Sequence, residues 1–123
     1  MAGPALAQNL AQDLADGQAT YAQWCAVCHG AAAQGGGPMA PVLILQPTDL
    51  TRLAASNGGT FPTLRVVMRI DGRDPLVSHG SPMPLFGPFF EGSSAEVIAP
   101  DGTRIPTSQP VANLVAWLQG VQQ

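Results

Sequence analysis

Lysine is absent from this 123-residue chain, and all five of its cations are arginines. Charged residues make up only 11% of the sequence, and the formal net charge is −3. A chain this poor in positive charge has no footprint for nucleic acid and no attraction to an anionic membrane surface. No unbroken apolar run exceeds five residues, which excludes a membrane-spanning helix. The length suits one domain and is too short for two. Glycine (14) and proline (12) are abundant instead, beside 46% hydrophobic residues. That balance describes a loop-rich domain whose core is completed by something besides side chains. At the amino terminus, Ala5-Leu6-Ala7 before Gln8 has the small-x-small form of a signal-peptide cleavage site, with no hydrophobic segment before it. Residues 1–8 therefore read as a flexible leader, a remnant of an export signal, and 9–123 as the single domain.

Hydrophobic spacing predicts four helices. Leu10, Leu14, Gly17, Tyr21, Trp24 and Cys28 alternate by three and four, forming one stripe of an amphipathic helix. The glycine-rich stretch His29 to Pro41 reads as a loop. Pro47-Thr48-Asp49 has the form of a helix start, with Leu50, Leu53 and Ala54 on one face and Asn57-Gly58-Gly59 as its stop. A third helix is expected over Phe61–Ile70, with Phe61, Leu64, Val67 and Met68 inside and Arg65 and Arg69 outside. Glu91 to Pro106 contains two short strands about a Pro-Asp-Gly turn, and a last helix begins at Val111.

The chemistry concentrates in Trp24-Cys-Ala-Val-Cys-His-Gly30, which holds both cysteines and one of the two histidines. Thiol–disulfide exchange uses Trp-Cys-x-x-Cys after a β-strand, and here the motif ends a helical stripe. A closed zinc site would need Cys25, Cys28, His29 and His79 together, with adjacent Cys28 and His29 both turned to one metal. The third possibility uses every residue. Thiols at i and i+3 on one helical turn add to the two vinyl groups of a haem, and His29 follows as proximal iron ligand. Cys-x-x-Cys-His is the attachment signature of c-type haem.

With those residues in view, most of the chain resembles a class I, monohaem bacterial cytochrome c. Gly17 and Tyr21 stand where that family places a glycine and an aromatic on its first helix. Trp117-Leu118 resembles the aromatic–Leu pair that packs across that glycine. Pro38 matches the position whose carbonyl holds the proximal imidazole. Met83, between Pro82 and Pro84, matches the distal methionine; His79, Met68 or an open sixth position are the alternatives. Trp24 and Phe86, Phe89 and Phe90 are expected to line the core or haem pocket. Arg65, Arg69 and Arg73 recur every four residues, as on a solvated helix face, and Arg73 also stands where it could pair with a haem propionate.

The fold implied is all-α: a small class I cytochrome c fold of about four helices around one covalent haem c and its iron, with a β-hairpin inserted before the C-terminal helix. The activity implied is one-electron transfer in the periplasm, by a carrier and not an enzyme. Its partners would be redox proteins: a dehydrogenase, oxidase or reductase. Two other readings stay open, a cytochrome subunit of a heteromeric dehydrogenase complex and a haem-based sensor. The family's mitochondrial members carry a ring of lysines, which this sequence lacks. Docking is therefore expected on a small apolar patch around Pro82 to Pro88, by a monomer or a complex subunit.

Overall fold

The computed structural model describes residues 4–71, 83 and 92–123, with side chains of the first helix described from Leu10. Among these, helices α1 (Pro4–Trp24), α2 (Ala26–His29), α3 (Thr63–Asp71) and α4 (Gln109–Gly120) are joined by 3-10 turns and one antiparallel pair, β1 (Ser94–Ile98) and β2 (Arg104–Ser108). Arg73, His79, the three phenylalanines after Leu85 and the patch expected at 82–88 (Met83 apart) lie outside the described residues. Helix α1 begins at Pro4, within the stretch read as a leader.

Helix α4 is the hub, packing on α1, α3 and both strands. Its start is set by Ser108, whose hydroxyl accepts from the amide of Val111 at 3.4 Å, and by Pro110 in the first turn. Val111, Leu114, Val115 and Leu118 recur at helical spacing and are all buried, as their periodicity predicted. Gly17 costs α1 some intrinsic stability, roughly 1 kcal/mol against alanine. It is required because a Cβ there would overlap the backbone carbonyl of Asn113, so the two helices cross in near backbone contact. The crossing lies against Asn113–Leu114, one turn before the expected Trp117-Leu118, and Trp117 instead stacks on Tyr21.

Three expectations need correction. The stripe on α1 is buried only from Gly17 onward, and Leu10 and Leu14 are exposed. The cause is length: α1 has 21 residues and α4 only 12, so α4 covers half of its partner. The helix expected after Pro47 is two 3-10 turns, Leu50–Arg52 and Ala55–Asn57. Asp49 caps the first, accepting from the amide and hydroxyl of Thr51 at 2.9 and 2.6 Å. Gly58 stops the second in the left-handed region at φ 66°. Helix α3 is present, but it buries Thr63, Val66, Val67 and Ile70, while Leu64 faces out. The hairpin forms as read, with Val97 opposite Ile105 and both buried on one face.

Candidate functional site

Helix α1 hands over directly to the cysteine motif. The amide of Cys25 donates to the carbonyl of Tyr21 at 2.9 Å, and the amide of His29 donates to the carbonyl of Cys25 at 2.9 Å. Cys25, Cys28 and His29 therefore share one helical turn and the wall of one cavity. Both cysteines are free thiols and half-buried. Burial, helped by the neighbouring Cys28, pushes the Cys25 thiol up to about 11. A disulfide-exchange nucleophile needs the opposite shift, toward thiolate at neutral pH.

Gly30 ends the turn at φ 85°, where a Cβ would overlap the carbonyl of Gly35. The chain then loops back under α2, with the amides of Gly37 and Met39 donating to the carbonyls of Cys28 and Val27 at 3.0 and 2.9 Å. This pinning holds Pro38 beneath α2, exposed to solvent. The imidazole contact expected from Pro38 comes from elsewhere: His29 Nδ1 lies 2.9 Å from the carbonyl oxygen of Thr48. A carbonyl only accepts, so Nδ1 donates, and in the neutral form of the ring the lone pair resides on Nε2. A neutral imidazole held this way is the form that ligates a metal.

The cavity measures about 530 Å³, within the ordinary range of cofactor sites. One wall is apolar and comes from α1 and α4: Tyr21, Trp24, Leu114 and Leu118. The Tyr21 ring lies 4.6 Å from that of Trp117, and its hydroxyl donates to the carbonyl of Gly30 at 2.5 Å. Burial pushes that hydroxyl up to about 12. Trp24, expected near the cofactor, lines the same wall. The polar lining comes from Thr48, Asp49, Arg52 and Asn57 together with Arg65 and Arg69 of α3, interleaved with Leu50, Leu53, Val66 and Ile70. Arg65, exposed as the solvated-face reading expected, and Arg69, half-buried, also line the cavity. Sequence reasoning missed Arg52 and Thr48 altogether, although Pro62, Arg65, Val66 and Arg69 form a second stripe on α3 that was legible.

Met83 also lines the cavity and packs against the core, half-buried. Met39 and Met68, the other described methionines, do not line it. Among the described residues no cluster of three or more His, Cys, Asp or Glu could hold a bare metal ion. The donor set fits something larger. Two thiols one turn apart, an imidazole, a thioether and a mostly apolar lining that includes three arginines match a haem with its vinyl groups, iron and carboxylates.

A family model described as cytochrome C oxidase, cbb3-type, subunit III matches residues 12–99. No curated protein and no solved structure matches the chain. The chain belongs to this cytochrome c family, a family of haem-based electron-transfer proteins. None of its described helices is long and apolar enough to cross a membrane.

Proposed function

We propose that this member of the cytochrome c family is a one-electron carrier of the periplasm, holding a single haem c through thioether bonds from Cys25 and Cys28. His29 and Met83 would ligate its iron, and it would shuttle between a dehydrogenase or respiratory complex and an acceptor. The observation that carries the reading is the 2.9 Å contact from His29 Nδ1 to the Thr48 carbonyl, on the cavity that both thiols and Met83 line. The haem supplies a reversible one-electron couple at its iron.

The chain's own residues do the rest. The Thr48 carbonyl fixes the imidazole's rotation and tautomer and makes Nε2 a stronger donor. Tyr21 closes the turn by tying its hydroxyl to Gly30, and its ring, with Trp24, Leu114 and Leu118, keeps water from one face. With His29 and Met83 both holding the iron, no open position would remain there for a substrate, and the reading is therefore a carrier.

A second reading, a cytochrome subunit of a larger complex, draws support from the family's description as an oxidase subunit. Val42, Ile44 and Leu45 stand exposed beside the cavity, in a stretch from Gly17 to Thr48 with no Asp, Glu, Lys or Arg. In either reading the redox partner meets an apolar, uncharged edge, so the electron-transfer rate changes little with ionic strength.

The test is the optical spectrum, oxidised and reduced. Sharp reduced bands, with a near-infrared Met–Fe(III) band lost in Met83→Ala, are the expected result. Haem bands without that feature would move the sixth ligand to His79 or leave the position open, as in a sensor. A steep loss of rate with added salt would count against apolar docking.

A further inference from the structure

Two parts of the cavity lining are joined by a side chain that does not itself line the cavity. Leu118 of α4 and Leu50 of the turn capped by Asp49 are both lining residues. Gln122 bridges them. Its amide nitrogen donates to the carbonyls of Leu50 and Leu118 at 2.6 and 2.9 Å, and its oxygen accepts from the amide of Ala54 at 3.0 Å. Both of its N–H donors and its oxygen are thus in use. The backbone amide of Gln123 adds a bond to the Thr51 carbonyl at 2.8 Å. The peptide between Leu50 and Thr51 is thereby held at both ends, its carbonyl by Gln122 and its amide by Asp49 at 2.9 Å. The amide of Leu50 donates in turn to Ala33 at 2.7 Å, on the loop that follows His29. Two residues before these anchors, the same segment offers the Thr48 carbonyl to His29 Nδ1.

We infer that Gln122 is a positioning residue for His29. By fastening residues 50–54 to the end of α4, it holds the Thr48 carbonyl in register with the imidazole and so tunes the reduction potential. This inference rests on the haem reading above. An acceptor well placed on Nδ1–H makes Nε2 the stronger donor, which favours Fe(III) and lowers the potential. An acceptor that drifts loses that effect, because a hydrogen bond weakens steeply once it is bent. Packing before Thr48 does not supply the register, since Ile44 and Leu45 point into solvent. A glutamine suits the task. Its amide donates and accepts together, and it brings no charge of its own.

The experiment compares the haem-loaded parent with Gln122→Met, which keeps the length and removes every bond of the amide. Gln122→Asn, with the amide one methylene short, decides the matter should Gln122→Met fail to load haem. Val97→Ala serves as control, since it removes buried volume from the hairpin. Three readouts are taken: amide exchange at Ala54, solvent exchange of the His29 Nδ1 proton, and the midpoint potential. In Gln122→Met both protons are expected to exchange roughly tenfold faster, the factor for one lost hydrogen bond, and the potential to rise. Gln122→Asn should move all three in the same direction. Val97→Ala should keep the His29 proton and the potential at parent values. A faster Ala54 amide with an unmoved His29 proton and potential overturns the inference, because the clip is then broken and the site unaffected. Equal shifts in Val97→Ala overturn it as well, since any loss of stability would then suffice. A parent that binds no haem fails differently, by removing the haem reading itself.

Discussion

Where α1 crosses α4, backbone meets backbone at Gly17, Tyr21 stacks on Trp117, and four residues of α4 are buried on one stripe. Residues 39–59 form three 3-10 turns; around the first, Val42, Ile44 and Leu45 point outward, Ile44 at 99% exposure, while Leu50 and Leu53 further on rest half-buried against the core. Hydrogen bonds hold much of this second region, whose 39–45 part buries little beyond Ala40. Leu50 donates to the carbonyl of Ala33 at 2.7 Å, and the Gln46 amide donates to the carbonyls of Ala40 and Leu43. The first region buries its apolar surface against itself and is stable by packing. The second fixes backbone groups in place but buries little, so its order depends on what fills the cavity. A site that must hold one carbonyl against His29 draws on the wall that packs least.

The comparison breaks most visibly without the cofactor. In a Cys25→Ser, Cys28→Ser chain, amide protons of residues 39–59 are expected to exchange roughly a thousandfold faster, the factor set by losing a tight ligand. Those at the α1–α4 crossing should slow their loss far better. Exchange that rises equally in both regions would show one cooperative unit. Gly17→Val attacks the other side, and forcing its side chain into Asn113 is expected to destabilise the haem-loaded protein by about 3 kcal/mol in denaturant titration. A cost below 1 kcal/mol would mean that the crossing yields easily.

Tyr21→Phe joins the two regions, since it keeps the stacked ring but leaves the Gly30 carbonyl without its donor. A loss of about 1.5 kcal/mol is expected at neutral pH. Folding raises the Tyr21 hydroxyl from 10.0 to about 12. Its contribution is therefore whole below pH 10 and fades as pH climbs toward 12, because the unfolded chain sheds that proton first. The phenylalanine variant should lack this alkaline slope. The smallest effect belongs to Ile44→Ser, expected to change stability by less than about 0.5 kcal/mol. A loss like that of a core residue would show that the 39–45 segment packs as a core after all.

What could be read in the sequence was local. The cysteine motif, the α4 stripe and the Pro-Asp-Gly hairpin each carry their signal within a few neighbouring residues. The phase of α3 was misjudged because the helix has two partners, the core on Val67 and Ile70 and the cavity on Arg65 and Arg69, so a single stripe could not describe it. Arginines one turn apart on a helix resemble a solvated face until a cavity is seen beside them. The His29 partner was out of reach for another reason: Thr48 acts through its carbonyl, which every residue possesses, and only the fold of the 30–47 loop decides which carbonyl arrives. Leu10 and Leu14 look like core by spacing, and only the shorter length of α4 exposes them.

One side chain near the carboxyl end ties the protein's history to its shape. Gln122 donates to the carbonyls of Leu50 and Leu118 and accepts from the amide of Ala54, while the amide of Gln123 donates to Thr51. Those partners on the turns lie about 70 positions earlier in the chain. During synthesis, then, the first helix emerges long before α4 exists to cover it, and the turns emerge before the clip that fastens them. Contacts this distant close late, whichever end the chain starts from. The turn that carries Arg52, just after Thr48, is fastened only once Gln122 and Gln123 have been made.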